Sequence, residues 1–162
     1  MAVTTLRTRG VQFTSLPSAP EVVTTGQSQN HYFARLADGL IGSYVYRGSF
    51  VFLNNSARAA NITLDLLTSD GKPGELVLGG IKHSKFAFQA PAGSAVELTS
   101  DGSSAPAFIG WAKAASDTPV TATGTFEIRE AAGAFVNEVG VPSSPASTKV
   151  SIHAQVTDQT DT

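Results

Sequence analysis

The stretch that decides the fold is residues 105–142, APAFIGWAKAASDTPVTATGTFEIREAAGAFVNEVGVP. Its clearest part alternates with a period of two residues. Val120, Ala122, Gly124, Phe126 and Ile128 lie on one face of this part, and Thr121, Thr123, Thr125, Glu127 and Arg129 lie on the other. Such alternation is typical of a β-strand with one face in the core and one in water.

The flanks of this strand predict two more strands. Residues 108–113 are too densely apolar and small for one-sided alternation, which predicts a strand covered on both faces, with Trp111 in the core. Asp117 and Pro119 lie between the first two strands and predict a turn there. A short loop at residues 131–133 leads into residues 135–139, and together they predict an antiparallel hairpin.

Outward from this stretch, the same signals recur along most of the chain. Further strands are predicted at residues 31–38, 47–54, 60–68, 75–78, 85–88, 94–99 and 149–156. Asp38 and Gly39 are expected to end the first of them with a turn, and residues 69–74 form the strongest turn signal. The total of about nine or ten short strands without a helical period predicts an all-β fold, an antiparallel β-sandwich of Ig-like or jelly-roll-like form. An up-and-down barrel is the alternative architecture.

The chain divides into three predicted parts. Residues 1–30 are expected to form an extended N-terminal arm, residues 31–142 the β-sandwich domain, and residues 143–162 a linker, a final strand and a polar tail. The arm contains two short strand-like pieces, around Val11 and Phe13 and at Val22 and Val23, although its polar composition also fits a disordered leader. The final strand alternates strictly, with Val150, Ile152, Ala154 and Val156 on one face.

Composition excludes several classes of function. The hydrophobic fraction is 41% and the charged fraction 15%, which favours strands over helices. The net charge of −2, without a basic run, gives no footprint for nucleic acid. The absence of cysteine excludes disulfides and thiolate metal sites. No apolar run approaches the roughly 20 residues of a membrane span, so membrane insertion is not expected.

No motif in the sequence indicates catalysis. His31, His83 and His153 have no partner at ligand spacing, no loop matches a calcium-binding pattern, and no nucleophile motif occurs. The acidic residues Glu127, Glu130 and Glu138 have nothing beyond their charge to recommend them as a glycosidase pair. We therefore predict no enzyme activity, no metal site and no cofactor, and leave open whether an Asp-Gly turn binds calcium.

Several segments resemble a β-sandwich unit that recurs in large secreted and surface proteins of environmental bacteria. The resemblance rests on ADG at 37–39, VFLNNSARAANITLDLLTSDGKP, APAGSAVELTSDG, GWAKAASDTPVTATGTFEI and NEVGVPSSPASTKVSIHA. It implies an extracellular or cell-surface location, and it offers no catalytic residues. The matching positions are implied to be structural only: Asp38, Asn54, Asp70, Gly71, Gly93, Trp111, Gly140 and Pro142.

These observations predict a structural subunit of a filament, tube or surface layer that partners with itself. Its copies are expected to assemble by strand exchange or strand addition. The proposed assembly strands contain Val11, Phe13, Val22, Val23, Val150, Ile152 and Val156. The alternative is a monomeric carbohydrate- or surface-binding module, in which Tyr44 and Tyr46 are the candidate ligand-facing aromatics for a polysaccharide.

Overall fold

The computed structural model describes residues 5–9, 12–16 and 29–144, with only the backbone described in the first two ranges. This part of the chain contains twelve β-strands and no helix. The strands are β1 (Thr5–Arg9), β2 (Gln12–Leu16), β3 (Gln29–Ile41), β4 (Tyr44–Asn54), β5 (Ala60–Thr68), β6 (Leu76–Leu78), β7 (Ile81–His83), β8 (Lys85–Ala90), β9 (Ser94–Thr99), β10 (Phe108–Ser116), β11 (Thr121–Glu130) and β12 (Phe135–Pro142).

Eight of the strands form two antiparallel layers. The first layer has the order β3-β10-β5-β8, and the second has the order β12-β11-β4-β9. Strand β3 belongs to both, because its first part pairs with β10 while Gly39, Leu40 and Ile41 pair with β4. The predicted all-β sandwich is confirmed.

The Asp38-Gly39 dipeptide does not end β3, so that prediction was wrong. The strand continues to Ile41, and the turn lies at residues 42–43. Asp38 is fully buried, and its two carboxylate oxygens accept hydrogen bonds from the backbone N–H groups of Gly102 (2.9 Å) and Ser104 (3.0 Å). Gly39 has a φ of 96°, and a Cβ there would lie 2.2 Å from the Ser104 carbonyl oxygen. The dipeptide therefore marks where β3 passes from one layer to the other.

The core lies between the layers and is rich in phenylalanine. Phe33 contacts Phe50 and Phe52 edge to face, with centroids 5.0 and 6.2 Å apart. Aromatic pairs in this arrangement contribute about 0.5–1.5 kcal/mol beyond the area they bury. The predicted alternation of β11 is confirmed, because Ala122, Gly124 and Phe126 are buried while the threonines between them face outward.

Strand β10 is buried on one face only, which corrects the prediction of two-sided burial. Gly110, Ala112 and Ala114 face the core, whereas Ile109 is 47% exposed and Trp111 is half-buried on the outward face. The run looked dense because small residues fill the inner face. Gly110 is required there, since a Cβ would lie 2.0 Å from the Leu67 carbonyl oxygen. An irregularity in the β3 register lies beside Trp111.

The two sides of the sandwich differ. On one side β3 and β12 form the edges, and Ser144 and Tyr32 exchange two backbone hydrogen bonds of 2.9 Å. The sequence predicted an extended arm before β3, and within it β1 and β2 pair as an antiparallel hairpin. The Cα atoms of β2 come within 8 Å of those of β12. Val11, Val22, Val23, and the predicted strand with Val150, Ile152 and Val156, lie outside the described residues.

Candidate functional site

On the opposite side of the sandwich both layers end in edge strands, β8 and β9. Strand β8 pairs with β5, and β9 pairs with β4; within residues 29–144 neither has a second strand along its length. The small β6–β7 hairpin meets only the end of β9, where Gly79 N–H donates to the Thr99 carbonyl (3.0 Å). We call the gap between Lys85–Ala90 and Ser94–Thr99 the open seam.

The inward side chains of the open seam are apolar and incompletely covered. Phe86, Phe88, Val96 and Leu98 pack against the core but remain partly exposed. Phe88 extends the aromatic cluster, with its centroid 5.3 Å from that of Phe52. The outward residues of both strands are exposed, so each edge has an apolar side and a wet side. The pattern is that of a sheet whose next strand is missing.

The backbone of β8 also faces this gap. Leu66 N–H donates to the Ser84 carbonyl (2.8 Å), which identifies the aligned Leu66 and Ser84 as a hydrogen-bonded pair. Such pairs alternate along an antiparallel ladder. The aligned residues Lys85, Ala87 and Gln89 are therefore in the non-hydrogen-bonded positions relative to β5. Their N–H and C=O groups point away from β5, toward the open seam.

The buried polar side chains elsewhere serve the backbone. Fully buried Asn54 donates to the carbonyls of Arg58 (2.7 Å) and Ala90 (3.0 Å) and accepts from Ser56 N–H (3.0 Å). Buried Ser100 accepts from Gly48 N–H (2.7 Å). Polar groups satisfied in this way pin loops. Asp38 and Asn54 thus act structurally.

The described part of the chain holds no group of three or more His, Asp or Glu side chains able to bind a metal ion. In the Asp-Gly turn at residue 70, the carboxylate lies 2.7 Å from the Lys72 ammonium and also accepts from the Thr68 hydroxyl. A hydrogen bond from Lys72 and a smaller contribution from Thr68 hold the pKa of the Asp70 carboxyl below its usual value. Local partners thus engage this exposed carboxylate.

His31 joins the linker after β12 to the body of the fold. Its Nδ1 lies 3.2 Å from the Ser143 hydroxyl oxygen, which in turn donates to the Ala122 carbonyl (2.7 Å). Burial lowers the pKa of His31, and the main chain of Val120 opposes this shift. His83 accepts instead from the backbone N–H groups of Ser84 and Lys85, and His153 lies outside the described residues.

Glu127, one of the acidic residues considered as a catalytic pair, lies among charged neighbours of both signs. Glu127 is the register partner of Glu138 on one side and of Arg47 on the other, and Arg129 forms an ion pair with it. Glu127 raises the pKa of the Arg129 guanidinium. Arg47, opposite Glu127 on β4, and Arg129, two residues along β11, match a charged sheet face.

The two predicted ligand-facing aromatics, Tyr44 and Tyr46, differ in their exposure. Tyr44 is 42% exposed at the start of β4, whereas Tyr46 is half-buried with its centroid 6.2 Å from that of Phe126. They form no exposed row.

A second aromatic group lies on the outward face of the first layer, where the structure places Trp111 instead of in the predicted core. Tyr32 and Trp111 stack there with centroids 6.5 Å apart and an interplanar angle of 27°. The Lys113 ammonium lies 6.0 Å from the Tyr32 ring centroid. Strict period-two alternation across residues 108–116 would have placed Trp111 and Lys113 on this outward face.

Within the described ranges, no helix has the length and apolarity to cross a membrane. Comparison with known proteins gives no match for this chain among protein-family models, curated proteins or solved structures.

Proposed function

We propose that this protein is a structural subunit that assembles with copies of itself by strand addition at the open seam. The observation that carries the proposal is that β8 and β9, which have no second neighbouring strand within residues 29–144, lie side by side around partly exposed apolar side chains. An added strand satisfies outward-pointing backbone groups and covers these side chains in one step.

Strands β8 and β9 lack most of the features by which proteins usually block edge pairing. Neither β8 nor β9 contains a proline, and each is a regular six-residue strand. The charged residues are Lys85 at the start of β8 and Glu97 in β9, and both are on the outward face. Natural edges are commonly protected by prolines, inward-pointing charges or bulges. Their absence supports a seam that accepts a strand.

The geometry of such a contact favours an open polymer. The seam lies on one side of the sandwich, so a strand from a different surface of the next copy makes a heterologous contact. Heterologous contacts generate filaments or tubes unless the rotation between copies closes a ring. The resemblance to repeat units of secreted surface proteins supports an extracellular filament, tube or surface layer as the setting.

The test is sedimentation of the purified chain over a wide concentration range, combined with negative-stain electron microscopy. Assembly predicts species whose mass grows with concentration and particles with a regular repeat. A single monomer boundary at every concentration, with no particles beyond monomer size, would contradict the proposal.

The second candidate is a carbohydrate-binding module, favoured by the Tyr32–Trp111 pair and Lys113 on the outward face. Stacked aromatics on a surface offer apolar faces to sugar rings. Trp111 is the only tryptophan, so its fluorescence reports on this site alone. Binding predicts a saturable change in fluorescence with a soluble polysaccharide, lost in Tyr32→Ala and kept in the control Tyr44→Ala. No change in either the wild type or the control would exclude it.

A further inference from the structure

We infer that the occupant of the open seam is residues 149–156 of a neighbouring copy, inserted in trans beside β8. This inference rests on the proposed function and identifies its partner strand. The segment, KVSIHAQV, lies outside the described residues. Its sequence and the position of Ser144, where the described part of the chain ends, support the inference.

The alternation of this segment provides an apolar face that could cover the partly exposed side chains of the open seam. One face has Val150, Ile152, Ala154 and Val156, and the other has Lys149, Ser151, His153 and Gln155. A strand at the edge of β8 would place the first set over Phe86 and Phe88 and the second set in water. The segment has eight residues and β8 has six, so the donor is long enough to cover the whole edge.

A chain cannot place this segment in its own seam. Ser144 is held beside β3, and the first layer then continues through β10, β5 and β8. A strand beyond β8 is five strand spacings from Ser144, which is about 24 Å. Val150 follows Ser144 by six residues. Fully extended, this length of chain spans about 20 Å, which is less than the distance to the seam. The donor must therefore come from another copy.

Both ends of the described sandwich support this direction of assembly. The linker leaves from the β3 and β12 side, where Ser143 is tied to His31 and Ala122. Strand β2 already pairs with β1 and lies near β12 of its own chain, which favours the C-terminal segment over β2 as the donor. Ser144, from which the chain continues to the donor segment, and the open seam lie on opposite sides of the sandwich, so each copy can donate and accept a strand at the same time.

The acceptor is tested with Ala87→Pro. The Ala87 N–H points into the seam, so proline there removes a donor needed by an added strand without removing a hydrogen bond to β5. The control is Ala87→Val, which keeps the N–H and suits a strand. We expect the first to abolish assembly and the second to keep it. Gln89→Pro repeats the test at the next outward-pointing position, should Ala87→Pro fail to fold.

The donor is tested with Ile152→Asp, which places a charge on the apolar face. We expect it to weaken assembly at least about 100-fold, because a buried aliphatic side chain is lost and a charge would have to be desolvated. The control is Ser151→Asp, on the polar face of the same segment, which should assemble like the wild type.

Mixing the two defective chains completes the test. Ala87→Pro retains a donor and Ile152→Asp retains a seam, so an equimolar mixture should form 1:1 heterodimers while each variant alone stays monomeric. Ile152→Asp that assembles like the wild type would overturn this inference while leaving the proposed function standing. A wild-type chain that is monomeric at every concentration would overturn both.

Discussion

Replacing Asp38 by alanine should destabilise the protein strongly, although the same change at Asp70 should not. Both aspartates precede a glycine, but Asp38 is buried and accepts hydrogen bonds from Gly102 and Ser104. Hydrogen bonds to charged groups contribute about 1.5–3 kcal/mol each, and alanine leaves two backbone donors without an acceptor. Alanine also removes the cost of burying a carboxylate. We therefore expect a loss of about 3–4 kcal/mol, against a total stability of about 6–17 kcal/mol for a domain of this size.

The assay is urea unfolding followed by the fluorescence of Trp111, the only tryptophan. Asp38→Ala should lower the midpoint substantially, and Asp38→Asn should also lower it, because one amide N–H₂ must then face a backbone donor. Asp70→Ala should leave the midpoint nearly unchanged, because this carboxylate is exposed and pairs with Lys72 at the surface. The reasoning is refuted if Asp38→Ala costs less than about 1 kcal/mol, or if the two alanine variants are equally destabilised.

Three further predictions concern the close backbone contact at Gly39, the core residue Phe52 and the dependence of stability on pH. Gly39→Ala should lower the unfolding midpoint, because its Cβ would meet the Ser104 carbonyl oxygen at 2.2 Å; a wild-type midpoint would contradict this close approach. Phe52→Ala should cost about 3–5 kcal/mol in urea unfolding, since the ring is fully buried; a cost below about 1 kcal/mol would contradict its place in the core. Burial lowers the pKa of His31, so the unfolded state binds the proton more readily. Thermal stability should therefore fall as pH drops below about 6.5, and His31→Gln should flatten that slope; an unchanged slope would contradict the shift.

Local patterns predicted the fold class and many strand positions, for a physical reason. A strand with one buried face has a period of two, and the β11 and β5 patterns were read correctly because mostly polar outward residues alternate with apolar or small inward ones. The β10 prediction failed because alanine and glycine fill its inner face, while Trp111 lies on the outer one. Residue size does not predict which side chains of β10 face inward, because the space left by the facing layer decides this.

The sequence predicted the two strands of the open seam but not their position at the edges of the layers. The alternation of β8 and β9 is visible in the sequence, but whether a strand is central or at an edge depends on which partners it finds. Likewise, Asp38-Gly39 and Asp70-Gly71 are the same dipeptide, and only contact with residues 102–104 gives the first a structural role.

By itself the sequence determined the antiparallel all-β character, most of the turns and the apolar face of most regular strands, because these depend on neighbours one to four residues away. The tertiary structure alone decided the strand order, the passage of β3 between layers and the position of β8 and β9 at the edges of the described layers. These features depend on contacts between residues far apart in the chain, and no local pattern encodes which strand is left without a neighbour.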